Sequence, residues 1–429
     1  MFQTYEEALN YVEVKKGIGI VYDLDRMKKL MVQLRHPERR VKTIHVAGTN
    51  GKGSTVTYLQ QILQQSSFFV GTFMTPAFGD PKNQIAINGE PMSEEEFVAG
   101  INNIYESVEE VEKETNQPFS FFEVMTTLAL YYFSTQKPVD MAIIETGMGG
   151  KHDATNVITP LVSIITNVSN DHEQFLGDTI EEIAKQKAGI IKSGLPVMTA
   201  ATDTALEVIK KEGAEKKATV YSVQERVEVN ASVKNGKQML SYQAPYRAMT
   251  DVELGMFGEY QAFNAALAMM TVDYLKQFYA VMVDDEQIIN GLKNATIKGR
   301  FEYLSNEPVI IVDTAHNPAA IDAAIHALNQ ENPDATIDVL FGAMKDKNTE
   351  YMLNQLASIA NELNVTTFES DRAKELEVYE SFVGNHKKVN KINDLDAFLN
   401  EWRISHDKDR LLFITGSHYF VGQILESYE

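Results

Sequence analysis

Residues 43–59, TIHVAGTNGKGSTVTYL, carry the clearest fold signal in the N-terminal part of the chain. The first five residues predict a buried strand, and the apolar residues that follow recur at the spacing of a helix: Val56, Leu59, Ile62 and Leu63. The glycines between the two patterns therefore predict a strand-to-helix turn. Such a turn exposes backbone N–H groups at the positive end of a helix dipole, which favours a bound phosphate.

The same turn carries side chains that suit a nucleotide. Lys52 supplies a cation, and Ser54 or Thr55 supplies a hydroxyl for Mg²⁺. The usual phosphate-loop pattern GxxxxGKS/T is not met, because Val46 stands at its first glycine position and Gly53 follows the lysine. The alternative, a tight loop that only joins strand to helix, stays open on this turn alone.

Composition restricts the classes of function. The chain has 429 residues, which suggests two or three domains, and it carries 39 basic and 60 acidic residues for a net charge of −21. This charge argues against nonspecific nucleic-acid and anionic-membrane binding. The chain has no cysteine, which excludes disulfides, thiolate metal sites and cysteine nucleophiles. With no signal-peptide pattern and no membrane-spanning apolar run, we expect a soluble, cytoplasmic protein.

Strand patterns alternate with helical patterns along the chain, which predicts an α/β fold with mostly parallel sheets. The further strand-like runs are residues 141–145, 161–167, 195–200, 309–313, 337–341 and 411–415. Residues 220–246 differ, since alternating residues and an Asn235-Gly236 hairpin signal predict a small antiparallel patch. The rhythm restarts after "KNATIKGRFEYLSNEP", so we predict two domains, residues 1–296 and 297–429.

Two polar residues follow predicted strands where α/β enzymes place their chemistry. Glu145 ends the strand of "DMAIIETGMGGKHDATN", where a carboxylate suits the Mg²⁺ of a nucleotide or caps the next turn. His172 follows Asp171 in "SIITNVSNDHEQFLG", and a lone histidine is more often a surface or packed residue than a ligand. The residues alone leave both alternatives open.

Two more segments carry charged residues near predicted helix ends. "IEEIAKQKAGIIKSGLPV" predicts a helix with Lys185, Lys187 and Lys192, which is ordinarily a solvated basic face. "IIVDTAHNPAAI" places Asp313 and His316 between a strand and a helix, where they face a ligand or form a well-capped turn.

Ten motifs occur together, in the order "HVAGTNGKGST", "FFEVMTTLALYYF", "IIETGMGGKHDATN", "SNDH", "IAKQKAGIIK", "GEYQAFNAALA", "KGRFE", "DTAHNP", "GAMKDKN" and "TGSHYFV". In this order and spacing the chain resembles folylpolyglutamate synthase and dihydrofolate synthase, the folate branch of the Mur ligase superfamily. The resemblance runs from about residue 40 to the C-terminus. It implies a P-loop ATPase-like N-terminal domain and a Rossmann-like α/β C-terminal domain, and it explains the unusual glycine turn as the family's ATP loop.

The resemblance implies an ATP-dependent ligase that joins L-glutamate to the carboxylate of a reduced folate, through an acyl phosphate. Its implied cofactors are ATP, Mg²⁺ at two sites, and K⁺. Its implied catalytic residues are Lys52, Glu145, His172 and Lys187, with Lys187 carbamylated. Its implied ATP-binding residues are Thr49, Asn50, Gly51, Lys52, Gly53, Ser54, Asn264, Arg300, Asp313 and His316. Its implied metal ligands are Ser54, Thr75, Glu145 and His172.

The resemblance also implies a pterin site and small-molecule partners only, in a protein expected to be monomeric. The implied pterin contacts are Phe121, Phe122, Glu123, Val124 and His152, although "SFFEV" also suits the core at the start of a helix. Thr75 stands where the family has serine, and Gln84 stands where it has arginine. Because a cation is lost near the pterin site, we predict an enzyme that extends reduced folates and uses dihydropteroate poorly.

Two alternatives remain at the level of the sequence. A Mur-type amide ligase acting on a different carboxylate substrate would share the ATP loop and the metal residues, but would not be expected to carry the FFEV motif. A nucleotide-binding regulatory protein without catalysis is the second alternative. The presence of Glu145, His172, Lys187, Asp313 and His316 argues against it.

Overall fold

The computed structural model of the chain describes residues 1–19, 21–385, 388–404 and 410–428. Its strands are β1 (Thr43–Ala47), β2 (Val70–Phe73), β3 (Ile85–Ile87), β4 (Glu90–Pro91), β5 (Met141–Glu145), β6 (Val162–Ile165), β7 (Val197–Thr199), β8 (Val220–Ser222), β9 (Glu228–Lys234), β10 (Lys237–Ala244), β11 (Arg247–Glu253), β12 (Glu302–Asn306), β13 (Val309–Val312), β14 (Thr336–Phe341), β15 (Glu362–Thr366), β16 (Val389–Ile392) and β17 (Arg410–Thr415). Its α-helices are α1 (Tyr5–Val14), α2 (Asp25–Gln33), α3 (Lys52–Gln65), α4 (Glu94–Thr115), α5 (Phe121–Tyr131), α6 (Glu173–Leu176), α7 (Ile180–Ala188), α8 (Asp203–Glu215), α9 (Val223–Arg226), α10 (Glu259–Tyr279), α11 (Asp285–Asn294), α12 (Pro318–Glu331), α13 (Thr349–Ile359), α14 (Glu380–Asn385), α15 (Leu395–Ile404) and α16 (His418–Glu426).

The central sheet has the strand order β4-β3-β2-β5-β1-β6-β7-β8 within the described residues. The six neighbouring strands β2, β5, β1, β6, β7 and β8 pair in parallel, and β3 and β4 add an antiparallel edge next to β2. The predicted α/β fold is thus confirmed. Val46 of β1 pairs with Glu145 of β5, so the glycine turn and Glu145 lie side by side at the carboxyl ends of these two strands.

The antiparallel patch exists, but its limits differ from those predicted. The strands β9, β10 and β11 form a separate sheet that extends to Glu253, and the hairpin turn has positive φ at Asn235 and Gly236. The predicted start at residue 220 was wrong, because β8 pairs in parallel with β7 and closes the central sheet. A three-residue strand is too short to reveal by alternation which sheet it joins.

The C-terminal sheet has the order β12-β13-β17-β14-β15-β16 in the described part of the chain. Only β12 is antiparallel to its neighbour, and the remaining pairs are parallel. The boundary predicted at residues 296 and 297 falls between α11, which contacts α3, and β12, which begins this second sheet.

Apolar side chains cover both faces of the central sheet, as a parallel sheet requires. Ile44 and Val46 belong to the cluster that contains the apolar residues of α3, α10 and α11, whereas Phe73 and Ile144 belong to the cluster of α4 and α5. Among the described residues, no helix combines the length and the apolar content needed to cross a bilayer.

Candidate active site

The turn between β1 and α3 is shaped by its glycines. Gly51 caps α3 with φ of 80°, a left-handed conformation that glycine adopts without strain. A Cβ atom at Gly51 would lie 2.3 Å from Oδ1 of Asn264, so a side chain there would exclude Asn264 of α10. In the first turn of the helix, the hydroxyl of Ser54 accepts a hydrogen bond of 3.3 Å from Nε2 of Gln261. The start of α3 is thus held against α10.

Lys52 and Glu145 form the charged centre at the carboxyl ends of β1 and β5. Nζ of Lys52 lies 3.8 Å from Oε1 of Glu145 and donates a 3.3 Å hydrogen bond to the carbonyl oxygen of Thr49. The backbone N–H of Thr75 donates to Oε2 of Glu145 over 3.2 Å. Burial raises the pKa of Glu145, while Lys52 opposes the shift. Glu145 is therefore a buried carboxylate whose nearest charge is Lys52.

The structure distinguishes the three lysines near the end of α7. Lys187 is buried, and its Nζ donates a 2.9 Å hydrogen bond to the carbonyl oxygen of Gly48. Burial, and then the charge of Lys52, lower the pKa of Lys187 to about 7. Lys185 is exposed, and Lys192 bonds instead to the carbonyl oxygen of Asn156. Of the three, Lys187 is the one that faces the glycine turn.

Asp171 connects the two parts of the chain. Its carboxylate forms an ion pair with Lys347, accepts a 3.2 Å hydrogen bond from Asn317, and lies 3.5 Å from Nε2 of His316. Burial would raise the pKa of Asp171, but His316, His172 and Lys347 outweigh burial and hold the pKa well below its usual range.

His172 follows in the left-handed conformation, with φ of 53°. Burial is the main cause that lowers the pKa of His172 to about 4, so its imidazole is neutral at neutral pH and can act as a ligand.

The DTAHNP segment forms the opposite wall. The carboxylate of Asp313 accepts hydrogen bonds from the backbone N–H groups of Phe301, at 2.9 Å, and Ala315, at 2.8 Å. Arg300 donates to the hydroxyl of Thr314, and Nδ1 of His316 lies 2.9 Å from the carbonyl oxygen of Thr314. Burial raises the pKa of Asp313, and Arg300 opposes the shift.

These two walls enclose a cavity of about 610 Å³. Among its lining residues are all the predicted catalytic, ATP-binding and metal-binding residues: Thr49, Asn50, Gly51, Lys52, Gly53, Ser54, Thr75, Glu145, His172, Lys187, Asn264, Arg300, Asp313 and His316. Residues from both sheets therefore meet at one site.

Known proteins resemble the chain in sequence and in fold. The family model of the Mur ligase middle domain matches residues 46–272, and that of the Mur ligase glutamate ligase domain matches residues 299–418. The chain is 35% identical to the dihydrofolate synthase/folylpolyglutamate synthase of Bacillus subtilis over 429 residues, with 99% of both chains covered. The chain belongs to the folylpolyglutamate synthase and dihydrofolate synthase family of Mur ligases.

Other members of this family agree with the assignment. The folylpolyglutamate synthase of Lacticaseibacillus casei is 32% identical, with 99% of this chain and 98% of the relative covered. The solved folylpolyglutamate synthase of Mycobacterium tuberculosis, complexed with ADP and AMPPCP, superposes with a TM-score of 0.90 at 28% identity, covering 99% of both chains. A solved FPGS–AMPPCP–folate complex gives a TM-score of 0.87 at 30% identity, again covering 99% of both chains.

The residues predicted to contact the pterin do not line the cavity. Glu123 is buried, and its carboxylate accepts hydrogen bonds of 2.7 and 2.6 Å from Nε and Nη2 of Arg26. Ser120 caps α5 and also donates to Glu123, while Val124 is fully buried in the core. For these residues the structure matches the alternative of a core at the start of a helix. Their contact with a pterin stays a prediction, as does that of His152.

The aromatic residues of the same segment are partly accessible. Phe122 stacks on Phe73 with ring centroids 5.8 Å apart, and the ring of Phe121 lies 5.2 Å from Nζ of Lys16. Gln84 is buried, and its Oε1 has no hydrogen-bond partner among the described residues. Gln84 directly precedes β3, the strand that pairs with the strand of Phe73.

The donor atoms of the cavity fit Mg²⁺ held together with a nucleotide. The described residues contain no group of three or more His, Asp or Glu side chains placed to hold a metal ion. Glu145 and the hydroxyls of Ser54 and Thr75 supply hard oxygen atoms, and Mg²⁺ commonly takes few carboxylates and completes its shell with water and phosphate oxygens. A metal in this family member would therefore depend on the nucleotide for part of its ligands.

Sequence reasoning gave no site role to several residues of this cavity. Asp171, Asn317, Lys347 and His418 are among them, and each lies in or beside a motif that follows a predicted strand. The signal that could have found them is their position past the carboxyl ends of β6, β13, β14 and β17.

Proposed function

We propose that this chain is an ATP-dependent ligase that adds L-glutamate to the carboxylate of a reduced folate. One observation carries the proposal: the phosphate loop with Glu145, and the DTAHNP segment with Arg300, line one cavity of about 610 Å³. A phosphoryl transfer needs this combination, because its catalysis rests on positioning and on charge neutralisation at the transferred phosphate.

In the first step, a carboxylate oxygen of the folate attacks the γ-phosphorus of ATP. The bond from phosphorus to the bridging oxygen breaks, and ADP leaves. Lys52 and the backbone N–H groups at the start of α3 would neutralise the charge that develops on the phosphate oxygens. Arg300 would approach the phosphates from the opposite wall of the cavity.

In the second step, the amine of glutamate attacks the carbonyl carbon of the acyl phosphate. The amide bond forms, inorganic phosphate leaves with the electron pair of the broken C–O bond, and the amine loses a proton. Asp171, His316 and Lys347 lie together at the cavity. Because they come from both walls, they would hold the two parts of the chain together while water is excluded.

We propose that Ser54, Thr75, Glu145 and His172 hold Mg²⁺ at two sites, and that Lys187 carries a carbamate. The ion would supply positive charge at the transferred phosphate. Two features support this: the neutral His172 and the depressed pKa of Lys187, which makes a neutral amine available near pH 7. A role for K⁺, a monomeric state and a cytoplasmic location remain predictions, as does the domain division after residue 296.

The experiment that tests the function is an incubation with ATP, glutamate and tetrahydrofolate, followed by mass analysis of the products. A folate product heavier by one glutamate, with one phosphate released per addition, supports the proposal. Release of phosphate that does not require folate, or glutamylation of a different carboxylate only, would contradict it. Dihydropteroate in a parallel incubation tests the predicted preference for reduced folates.

A further inference from the structure

The loop between β2 and β3, residues 74–84, crosses from the central sheet to the C-terminal sheet. Its ends are joined by a 2.9 Å hydrogen bond from the N–H of Met74 to the carbonyl oxygen of Gln84. Inside it, Nδ2 of Asn83 donates over 3.0 Å to the carbonyl oxygen of Phe78. Asp80 accepts a hydrogen bond from the hydroxyl of Tyr5 on α1. The β2–β3 loop is therefore braced internally, and it would move as one piece.

The tip of this loop is seated in the C-terminal part of the chain. The ring of Phe78 stacks on the imidazole of His418, with centroids 4.0 Å apart and an interplanar angle of 14°. A Cβ atom at Gly299 would lie 2.8 Å from Cζ of Phe78, and one at Gly422 would lie 3.0 Å from Cδ1. The ring fits there because these two glycines have no side chains. The ring also packs on the apolar cluster of the C-terminal sheet.

The β2–β3 loop and His418 each reach one wall of the cavity. On the loop side, the N–H of Thr75 donates to Oε2 of Glu145 over 3.2 Å. On the other side, His418 itself lines the cavity. Burial, and then the neighbouring Arg300 and His316, lower the pKa of His418 to about 3, so a neutral ring faces Phe78. Phe78 therefore lies between the wall that carries Glu145 and the wall that carries Arg300.

We propose that Phe78 is a positioning residue for ligation: its ring fixes the wall of Arg300 and His316 relative to the wall of Glu145. This inference rests on the proposed ligase function. Small displacements between reacting groups cost rate rather than binding, since near-attack geometry is lost while each wall keeps its own contacts. The phosphate loop belongs to one wall and should bind nucleotide without the contact.

The first experiment replaces Phe78 by Ala and by Leu. We expect Phe78→Ala to lower kcat by on the order of 10- to 100-fold, because a misplacement of about 1 Å has effects of this size. The dissociation constant of ATP should rise by a smaller factor than kcat falls, because Lys52 and the turn remain while only the contacts expected from Arg300 and His316 are displaced. Phe78→Leu, which keeps an apolar side chain at this position, should recover part of kcat. Phe278→Ala, at an exposed position of α10, is the matched control and should retain full kcat.

A double-mutant cycle tests whether Phe78 acts through His418. If both residues act through one contact, the combination of Phe78→Ala with His418→Ala should lower kcat little further than either change alone. Losses that multiply would contradict the proposal. So would a folded Phe78→Ala variant with unchanged kcat, or a loss of ATP affinity as large as the loss of kcat.

A distance measurement between two spin labels tests the positioning role of Phe78 without an enzyme assay. Because the chain has no cysteine, Lys211→Cys on α8 and Gln330→Cys on α12, both exposed, can carry spin labels, one on a helix of each part of the chain. We expect Phe78→Ala to broaden or shift the distance distribution between the labels. An unchanged distribution would contradict the role of Phe78. If the unaltered chain makes no glutamylated folate, the proposed function fails, and this measurement still decides the positioning role.

Discussion

Nζ of Lys187 donates a hydrogen bond of 2.9 Å to the carbonyl oxygen of Gly48, the residue that follows β1. The contact places a buried lysine beneath the turn that carries Lys52. A free lysine side chain has a pKa of about 10.4 and is almost fully protonated at neutral pH. Burial, with Lys52 as the second cause, lowers the pKa of Lys187 to about 7, so roughly half of the side chains are neutral amines at pH 7.

The first prediction is that Lys187 reacts with CO₂ to form a carbamate. The neutral amine attacks carbon, a C–N bond forms and one proton is released, so the ammonium form does not react. Carbamate formation should therefore increase as pH rises through about 7 and level off above it. Labelled bicarbonate with carbon NMR measures it, and Lys185→Ala, an exposed position on the same helix, is the control.

Activity gives a second measure of the same prediction. Lys187→Ala should be inactive, and a short-chain carboxylic acid should restore part of the rate because it supplies the missing carboxylate oxygens. A high-resolution map that shows an unmodified ammonium with Mg²⁺ in place would refute the carbamate.

The second prediction concerns the phosphate loop. Lys52→Ala should lower ligation by about 100-fold or more, the usual effect of removing one group that stabilises a developing anion. The variant should stay folded, because the Lys52 side chain is partly exposed and its nearest carboxylate oxygen is 3.8 Å away. Steady-state rates and a thermal melt measure the two effects. Near-normal activity with unchanged ATP affinity would show that Lys52 does not hold phosphate.

The third prediction concerns the ion pair between Asp171 and Lys347, whose side chains are 7% and 10% exposed. Lys347→Ala leaves a buried carboxylate with fewer partners and should reduce the free energy of unfolding by about 3 kcal/mol. The control Lys345→Ala removes an exposed pair with Glu375 and should cost less than about 1 kcal/mol. Urea denaturation of both variants measures the difference. Equal reductions in the free energy of unfolding would show that the buried pair contributes no more to stability than the exposed pair.

The fourth prediction concerns Glu123. Because Arg26 and Glu123 are 5% and 4% exposed, Arg26→Ala should cost about 3–5 kcal/mol in unfolding free energy. On the same helix, Lys29→Ala removes an exposed pair with Glu114 and should cost under about 1 kcal/mol. If Glu123 instead contacts the pterin directly, Glu123→Gln will raise the KM for folate with little loss of stability. Denaturation curves together with KM values separate the two roles.

The fifth prediction concerns substrate choice. Gln84 replaces a cation with a neutral amide, which weakens attraction for an anionic substrate, and its buried Oε1 can accept a hydrogen bond. We expect kcat/KM for tetrahydrofolate to exceed that for dihydropteroate by about tenfold or more, a difference of roughly 1.4 kcal/mol in the transition state. Competition between the two substrates in one incubation measures the ratio. Comparable values would show that the altered loop leaves substrate choice unchanged.

Sequence patterns predicted those elements whose conformation is set by residues close to one another in the chain. The run from Thr43 to Ala47, followed by glycines and a helical repeat, predicted β1, the turn and α3, because strand burial and helix periodicity are local properties. Glu145 and Asp313 were singled out because each lies at the carboxyl end of a predicted strand, where α/β enzymes place their chemistry. The hairpin at Asn235 was predicted from its own dipeptide.

Local patterns therefore predicted the α/β order of the elements and the glycine turn after β1, and the motifs together pointed to the family. The contacts between distant groups could be seen only in the folded chain. Asn50 forms a hydrogen bond with Asn317, 267 residues away, and Lys347 pairs with Asp171, 176 residues away. The structure also showed that Glu123 is engaged by Arg26 and that Phe78 is seated on His418. The physical reason is that periodicity reports which face of an element is buried. The partner that neutralises a charge or fills a slot is set by how whole sheets pack, and no local pattern contains that information.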